Sequence, residues 1–395
     1  MNLGLLGFFK YYNFFLDNFV RAFSLFGMKI QANSLNIVLP VGISFYTFQT
    51  LSYSIDVYRK KLEATKDFAA FSAFVSFFPQ LVAGPIERAT NLLPQFYKRR
   101  DFHYEGAVDG LRQILWGLFK KMVIADNCAV FANMIFTGSD QYHGSALLFG
   151  SIFFAFQIYG DFSGYSDIAI GTAKLFGFDL MKNFAYPYFS RDIAEFWRRW
   201  HISLSTWFRD YVYIPLGGSK GSKLSIVRNT FIIFLLSGFW HGANWTFLVW
   251  GAMNALYFLP LLFLKKNRDH LDIVSKGRIF PSVIDLLSMI ATFLLTCFAW
   301  IFFRSNSMEE ALKFISKMIS KTLFSNPQLS LKGYLVLLMV VFFLIVEWVG
   351  REQDYPVATL LEKMPKLLRW GVYYALVFII FYFSGARQEF IYFLL

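Results

Sequence analysis

Charge is scarce in this chain: Asp, Glu, Lys and Arg make up 16% of the 395 residues, whereas Phe, Trp and Tyr alone make up 21%. A water-soluble domain carries about 25% charged residues, so the composition excludes an ordinary soluble globule. With 56% hydrophobic residues and a mean hydropathy of +0.45, the chain belongs in lipid. Cysteine is nearly absent. Cys128 and Cys297 lie in apolar surroundings, which excludes a disulfide framework and a cysteine metal cluster. No HExxH pattern occurs among the 5 histidines, and no G-K-[ST] triplet follows the glycines of "GGSKGSK", so neither zinc-protease nor P-loop chemistry is expected. Strict apolar alternation is also missing, which argues against a β-barrel.

Long apolar runs are present instead, and a helical crossing needs about 20 residues. Clear candidates are 146–178, 224–264, 281–303, 334–350 and 370–385, with polar-interrupted ones at 1–27, 36–56, 67–85 and 107–137. The expected fold is all-α and polytopic, because a continuous helix satisfies its own backbone in lipid. The net charge of +12 gathers in short connectors, "RKK" at 59–61, "KRR" at 98–100, "GGSKGSK" at 217–223 and "KKNRDH" at 265–270. These read as cytoplasmic loops. They lack the size and aromatic interleaving of a nucleic-acid site. The start, "MNLGLLGFFKYYNFF", reads as a retained first span rather than a cleaved signal.

Polar residues concentrate between 157 and 250. "QIYGDFSGYSD", 157–167, sets Asp161 and Asp167 in an apolar run, where carboxylates either face a cavity or fix helix packing. Its serine is one place late for G-x-S-x-G, so a serine hydrolase is excluded. The stretch 188–218, "YFSRDIAEFWRRWHISLSTWFRDYVYIPLGG", is too polar for a free span and too aromatic for a loop. If helical from Asp192, it places Glu195, Arg198 and Arg199 at ion-pair spacing. It reads as interfacial or re-entrant, with Trp197, Trp200 and Trp207 at headgroup depth. Arg198, Arg199 and Arg209 then either anchor to anionic lipid or meet an anionic substrate.

His241 lies in "SGFWHGANWTFLVWG", near the middle of a crossing read as Phe231 to Trp250. An ionisable group there is a functional candidate. Its near-neutral pKa suits general-base work on a hydroxyl. Asn244, three residues on, would share its helix face and orient the ring. His201 is the other histidine of this region; His103, His143 and His270 fall in connectors and read as solvated.

"EFWRRWHISLSTWFRDYVYIPLGG" followed by "SGFWHGANWTFLVWG" resembles the signature of the membrane-bound O-acyltransferase family, in its bacterial alginate O-acetyltransferase branch. "FFPQLVAGPIER", "QIYGDFSGYSDIAIG", "NFAYPYFSRDI" and the ending "EFIYFLL" are similar to it as well. The resemblance implies one membrane domain over 1–395, a many-span core with re-entrant or interfacial helices and a central tunnel. It implies further spans ahead of "LGLLGFFKYYNFF", which stands at the start of this sequence as it would in a fragment, a late start or a shortened member. It further implies no bound cofactor, acetyl-CoA as cytoplasmic acyl donor, a secreted or cell-surface polysaccharide acceptor, an extracytoplasmic SGNH-type partner and residence in the bacterial inner membrane. His241 matches the catalytic histidine of the family's WHG element and His201 the second family histidine. Asp161, Arg198, Arg199, Arg209, Trp240 and Asn244 are expected to line the substrate path, with Lys220, Lys223 and Arg228 at a basic mouth for coenzyme A phosphates. D-alanyl transfer to teichoic acid is the competing enzyme reading, and a proton-relaying transporter or flippase the competing class.

Overall fold

The computed structural model of the chain describes residues 2–30, 33–361, 364–384 and 388–391, so the last four residues of "EFIYFLL" lie outside it. Secondary structure among these residues is helical. Six helices are long and apolar enough to cross a membrane: α1 (Gly144–Leu175), α2 (Lys223–His241), α3 (Trp245–Phe263), α4 (Val283–Arg304), α5 (Leu331–Gly350) and α6 (Lys366–Phe383). They follow the clear apolar runs with one exception. The run 224–264 is not one element but two antiparallel spans, α2 and α3, broken at residues 242–244. Gly242 leaves the helix in extended conformation, and the Asn244 side chain caps α3 by accepting from the Thr246 N–H at 3.1 Å. Both are breaker residues set inside an apolar stretch whose hydropathy hides them.

The interrupted candidates divide differently. Asn2–Leu6, Gly7–Tyr11 and Tyr12–Ser24 run on as successive helical segments, and Ile43–Tyr58 forms a further helix. The stretch 67–85 is no crossing: only Phe68–Val75 is helical, about 12 Å at 1.5 Å per residue. Pro79 stands four residues beyond its last residue, where it has no N–H to bond the Val75 carbonyl and its ring would clash with that group. In 107–137, Tyr104–Leu118 and Asp126–Thr137 are joined through a π-helical segment, Phe119–Ala125, that carries Lys120 and Lys121 into the interior. Such wide turns recur at functional sites.

α1 is the central helix. Its apolar window is 83% buried, against 11% for α6, which presents Phe378, Phe381 and Tyr382 outward as lipid-facing surface. Lipid supplies no hydrophobic drive between helices, so their association rests on close packing. The α1 glycines provide it: a Cβ on Gly164 would stand 2.8 Å from the Gly117 carbonyl oxygen. The small residues of "GDFSG" therefore serve packing, the plainer of the two readings for that motif. α2 and α3 meet as tightly, for a Cβ on Gly238 would lie 2.2 Å from the Phe247 carbonyl oxygen. That atom is backbone and cannot swing aside. Gly238→Val is expected to force α2 from α3 and lower the thermal midpoint in detergent by several degrees; an unchanged midpoint would show that the pair is free to slide.

The ends of the spans define two faces. Lys223, Phe263, Val283, Gly350 and Leu175 end on one, where Arg198 donates to the Asn267 and His270 carbonyls and Arg351 to those of Val274, Ser275 and Arg278. This face holds "GGSKGSK" and "KKNRDH" and is the basic-loop face. His241, Trp245, Arg304 and Gly144 end on the opposite face, where Asn244 donates to the Asn306 carbonyl.

Candidate functional site

Two short helices, Ile193–Arg199 and Ile202–Phe208, meet at His201. Asp192 caps the first by accepting from the Glu195 N–H at 2.7 Å. His201 turns the chain with φ 42° and ψ 55°, the left-handed region that histidine tolerates better than most residues. Strain of this kind persists where the surroundings over-determine it. They do so here: His201 is 1% exposed and Asn183 is wholly buried beside it. The Asn183 Oδ1 accepts from His201 Nδ1 at 3.1 Å and from the Ser203 hydroxyl at 2.9 Å, while its amide donates to Ser166 at 3.1 Å. An amide oxygen only accepts, so Nδ1 carries the proton and Nε2 is a bare acceptor, buried with no partner. Phe162 packs edge-on against the ring at 4.5 Å.

His241 is the last residue of α2, at the turn into α3. The expectation of a mid-span histidine is corrected by that turn. Its ring is 6% exposed and lies edge-on to Trp240, Phe303 and Trp250 at centroid distances of 4.9, 5.1 and 5.4 Å. Trp240 also packs against His201 at 6.0 Å, so one indole touches both histidines, which stand 40 positions apart in sequence. Lys10 closes the helix end: its ammonium donates to the Trp240 and His241 carbonyls, each at 2.8 Å. A cation there satisfies orphan carbonyls and suits the helix dipole. Asn244 does not share a helix face with His241. It begins the next helix, with its amide on Asn306.

The arginines separate by role. Arg199 and Arg191 both pair with Glu195 Oε1, at 2.6 and 3.0 Å, and Arg191 reaches Asp272 at 2.8 Å. That guanidinium, hydrogen-bonded to Asp272, holds its carboxyl below the usual carboxylate range. Arg198 makes no ion pair with Glu195 but clamps the 267–270 loop by two 2.7 Å bonds. Arg209 is half exposed beside Asp210. Trp200 and Trp207 sit in the interior at 3% and 4% exposure, and Trp197 packs on Trp250 at 5.7 Å, so these rings are embedded in protein. Asp161 is buried in an ion pair with Lys121 at 2.6 Å and accepts from the Ile391 N–H; Asp167 pairs with Lys120 at 2.5 Å. Of the connector histidines, His103 caps Tyr104–Leu118 and His143 is half-buried rather than solvated.

Cavities open toward α2 from both faces. One, of about 510 Å³, opens on the basic-loop face and is lined by Arg198, Arg209, Arg268 and Ser219, reaching Ser237 of α2. Lys220, Lys223 and Arg228 are exposed near its mouth but do not line it. A cavity of about 140 Å³ is lined by Lys10, Ser44, Trp240 and His241. A third, about 420 Å³, shares Lys10 with it and continues to Asn244, Arg304 and Asn306 at the opposite face. Ser237 and His241 are one helical turn apart, about 6 Å of rise. That turn separates the basic chamber from the cavities of the opposite face.

Sequence reasoning passed over Lys10, Asn183 and Glu347. Lys10 and Glu347 each carried a signal, a lone charge in "LLGFFKYYNFF" and in "FFLIVEWVG". Glu347 is 2% exposed and accepts from the Tyr159 hydroxyl at 2.8 Å. Asn183 carried none, because a connector asparagine is unremarkable until the fold sets it against His201.

Residues 60–303 match the family model described as MBOAT, membrane-bound O-acyltransferase family. The chain is 40% identical over 374 residues to a protein of Pseudomonas aeruginosa named probable alginate O-acetylase AlgI, covering 93% of this chain and 68% of that protein. It is 37% identical over 344 residues to the peptidoglycan O-acetyltransferase of Helicobacter pylori, covering 80% of this chain and 63% of that protein. To the teichoic acid D-alanyltransferase of Bacillus subtilis it is 27% identical over 280 residues, covering 68% of this chain and 69% of that protein. The chain thus spans about two thirds of the length of these relatives. With a family match over more than half its length and six apolar spans, this chain belongs to the membrane-bound O-acyltransferase family and is a multi-pass membrane acyltransferase.

Proposed function

We propose that the protein is an O-acetyltransferase that takes acetyl from acetyl-CoA on its basic-loop face and delivers it to a hydroxyl presented from the opposite face, for a secreted or cell-surface polysaccharide. The observation that carries this reading is the position of His241: it lines a cavity of the opposite face, one turn beyond Ser237 in the wall of the basic chamber. The names of the two O-acetylating relatives support the acetyl group and the polysaccharide. They are more similar to this chain than the D-alanyltransferase is, which favours acetyl over D-alanyl. A non-enzymatic transporter has no use for an acyltransferase sequence match over 60–303.

In this mechanism Arg209 and Arg268 attract the phosphates of coenzyme A, while Arg198 holds the chamber wall. The basic-loop face is then cytoplasmic, in accord with the positive-inside rule, and the membrane is the bacterial inner membrane. His241 removes the hydroxyl proton as its oxygen attacks the thioester carbonyl. A C–O bond forms, the C–S bond breaks, and the proton passes to the departing thiolate, so free coenzyme A and an acetyl ester are the products. The acceptor hydroxyl belongs to the polysaccharide or to a serine of an extracytoplasmic SGNH-type partner. His201, fixed by Asn183 with Nε2 unprotonated, supports the reaction centre through Trp240.

The test supplies radiolabelled acetyl-CoA to the basic-loop face of membrane vesicles holding the chain and follows label into polysaccharide. Arg209→Ala is expected to raise KM for acetyl-CoA about two- to fivefold with little change in kcat, the scale of a half-exposed charge contact. Absence of label from vesicles with a correctly inserted chain and its acceptor would overturn the reading. An unchanged KM would remove Arg209 from donor binding.

A further inference from the structure

A pocket of about 150 Å³ enters the interior from the basic-loop face, with a lining distinct from that of the Arg198 chamber. Lys182 and Asp354 stand at its rim, beyond the ends of α1 and α5, and Lys120, Asp167 and Glu347 line its depth. It has room for about ten waters. The buried acids around it are not matched by bases. Lys120 pairs with Asp167 at 2.5 Å, and Lys121 is shared by Asp126 and Asp161 at 2.8 and 2.6 Å. Glu347 has no cation within ion-pair distance among the described residues. Its carboxylate, 2% exposed, accepts from the Tyr159 hydroxyl, whose oxygen is 2.8 and 3.0 Å from its two oxygens. A carboxylate withdrawn from water without a counter-ion is costly and marks a functional position in a membrane protein.

A second observation is independent of charge. Gln113 is 4% exposed and lines the same pocket. Its amide donates to Asp167 at 3.0 Å, which fixes the group so that Oε1 is the free end, and Oε1 is buried without a hydrogen-bond partner. Ser163 of α1, 1% exposed and in the same lining, likewise has a hydroxyl without a partner. Buried acceptors left unmet are costly unless a ligand meets them. The unpartnered indole N–H of Trp116 is a donor and suits water in the pocket.

We propose that this pocket binds a monovalent alkali cation, Na⁺ or K⁺, held by the Glu347 carboxylate, Gln113 Oε1 and the Ser163 hydroxyl oxygen, with water from the basic-loop face completing its shell. Oxygen donors of this kind suit a hard cation. A divalent ion is disfavoured by the charge of the lining. Lys174 and Lys182 at the rim are paired to Asp109 and Asp354, and Lys120 to Asp167, so one net negative charge is left, that of Glu347. The ion ties α5 to α1 and to the helix Tyr104–Leu118, beside Asn183, which orients His201. The proposal is independent of the acyl donor, the acceptor and the role of His241.

The test uses the full chain in detergent with radiolabelled Na⁺ as probe. Bound label is expected, displaced by unlabelled NaCl and not by choline chloride. NaCl or KCl at about 100 mM should raise the thermal midpoint over the same concentration of choline chloride by about 2–4 °C, the effect of a ligand near ten times its Kd. Glu347→Gln keeps the shape and an acceptor for Tyr159. It should abolish the label and the difference between salts, while its midpoint in choline equals or exceeds that of the parent, because the unpaired charge is gone. Gln113→Leu should weaken the binding of label several-fold. Equal midpoints in the three salts with no bound label overturn the proposal. Label that survives Glu347→Gln places the ion elsewhere and overturns it as well. A midpoint that rises as pH falls, identically in all three salts, shows that Glu347 holds a proton in place of a metal ion and overturns it too.

Discussion

Replacing His241 by alanine is expected to lower acetyl transfer by about 10²- to 10⁴-fold, the usual contribution of a general base. The ring lies where α2 ends, walled by Trp240, Trp250 and Phe303, and its backbone carbonyl is held by Lys10. The backbone is therefore positioned by groups the substitution leaves in place. Only the ring is lost. His241→Gln keeps a polar side chain of similar length without a titratable nitrogen, so it separates packing from proton transfer. Both variants should insert at normal levels, retain the thermal midpoint to within a few degrees and lose the initial rate of label transfer together. A folded His241→Gln protein with more than a tenth of the parent rate would remove the residue from proton transfer.

Lys120→Met is expected to be strongly destabilising, unlike the His241 variants. The ammonium is 2.5 Å from Asp167 Oδ2, with the two side chains only 5% and 13% exposed. Asp167 also accepts from Gln113 at 3.0 Å, and Lys120 lies over the Tyr159 ring, whose hydroxyl donates to Glu347. Removing one partner of a buried pair leaves an uncompensated charge, at a cost of about 3–5 kcal/mol. Folded yield in detergent should fall sharply. Lys120→Met combined with Asp167→Asn should recover most of the loss, because no unpaired charge remains. A double variant no better than the single one would show that the cost comes from cavity shape rather than from charge.

These expectations draw on two kinds of information. Membrane residence, the helical class and four of the five clear spans were legible in the sequence, because a crossing needs only length and continuous hydropathy. The break at residues 242–244 was not, since Gly242 and Asn244 are too few to lower the hydropathy of the run 224–264. The same averaging disguised the 67–85 segment, where prolines rather than polarity end the helix. Asp192 was correctly read as a helix start because capping is a local matter of sequence. What surrounds the tryptophans after it was not legible, because a re-entrant helix and an interfacial one share a composition and differ only in their neighbours.

His201 and His241 could be picked from the sequence as ionisable groups in an apolar region, and the WHISLS and WHG elements carried the family resemblance. What the sequence by itself determined is the solvent, the class of secondary structure and the candidate chemistry, since each follows from residue type and short-range spacing. Tertiary structure alone decided that Trp240 touches both histidines, that Asn183 holds His201 in one tautomer, and that Lys10, 231 positions from His241, caps its helix. The arginines show the same division. Their spacing allowed several ion pairs, and the fold chose Arg191 and Arg199 for Glu195 and sent Arg198 to the 267–270 loop. The reason is physical: a charge buried in protein within a membrane takes whichever partner the packing brings near, and that partner is set by helix association between distant segments rather than by the residues beside it.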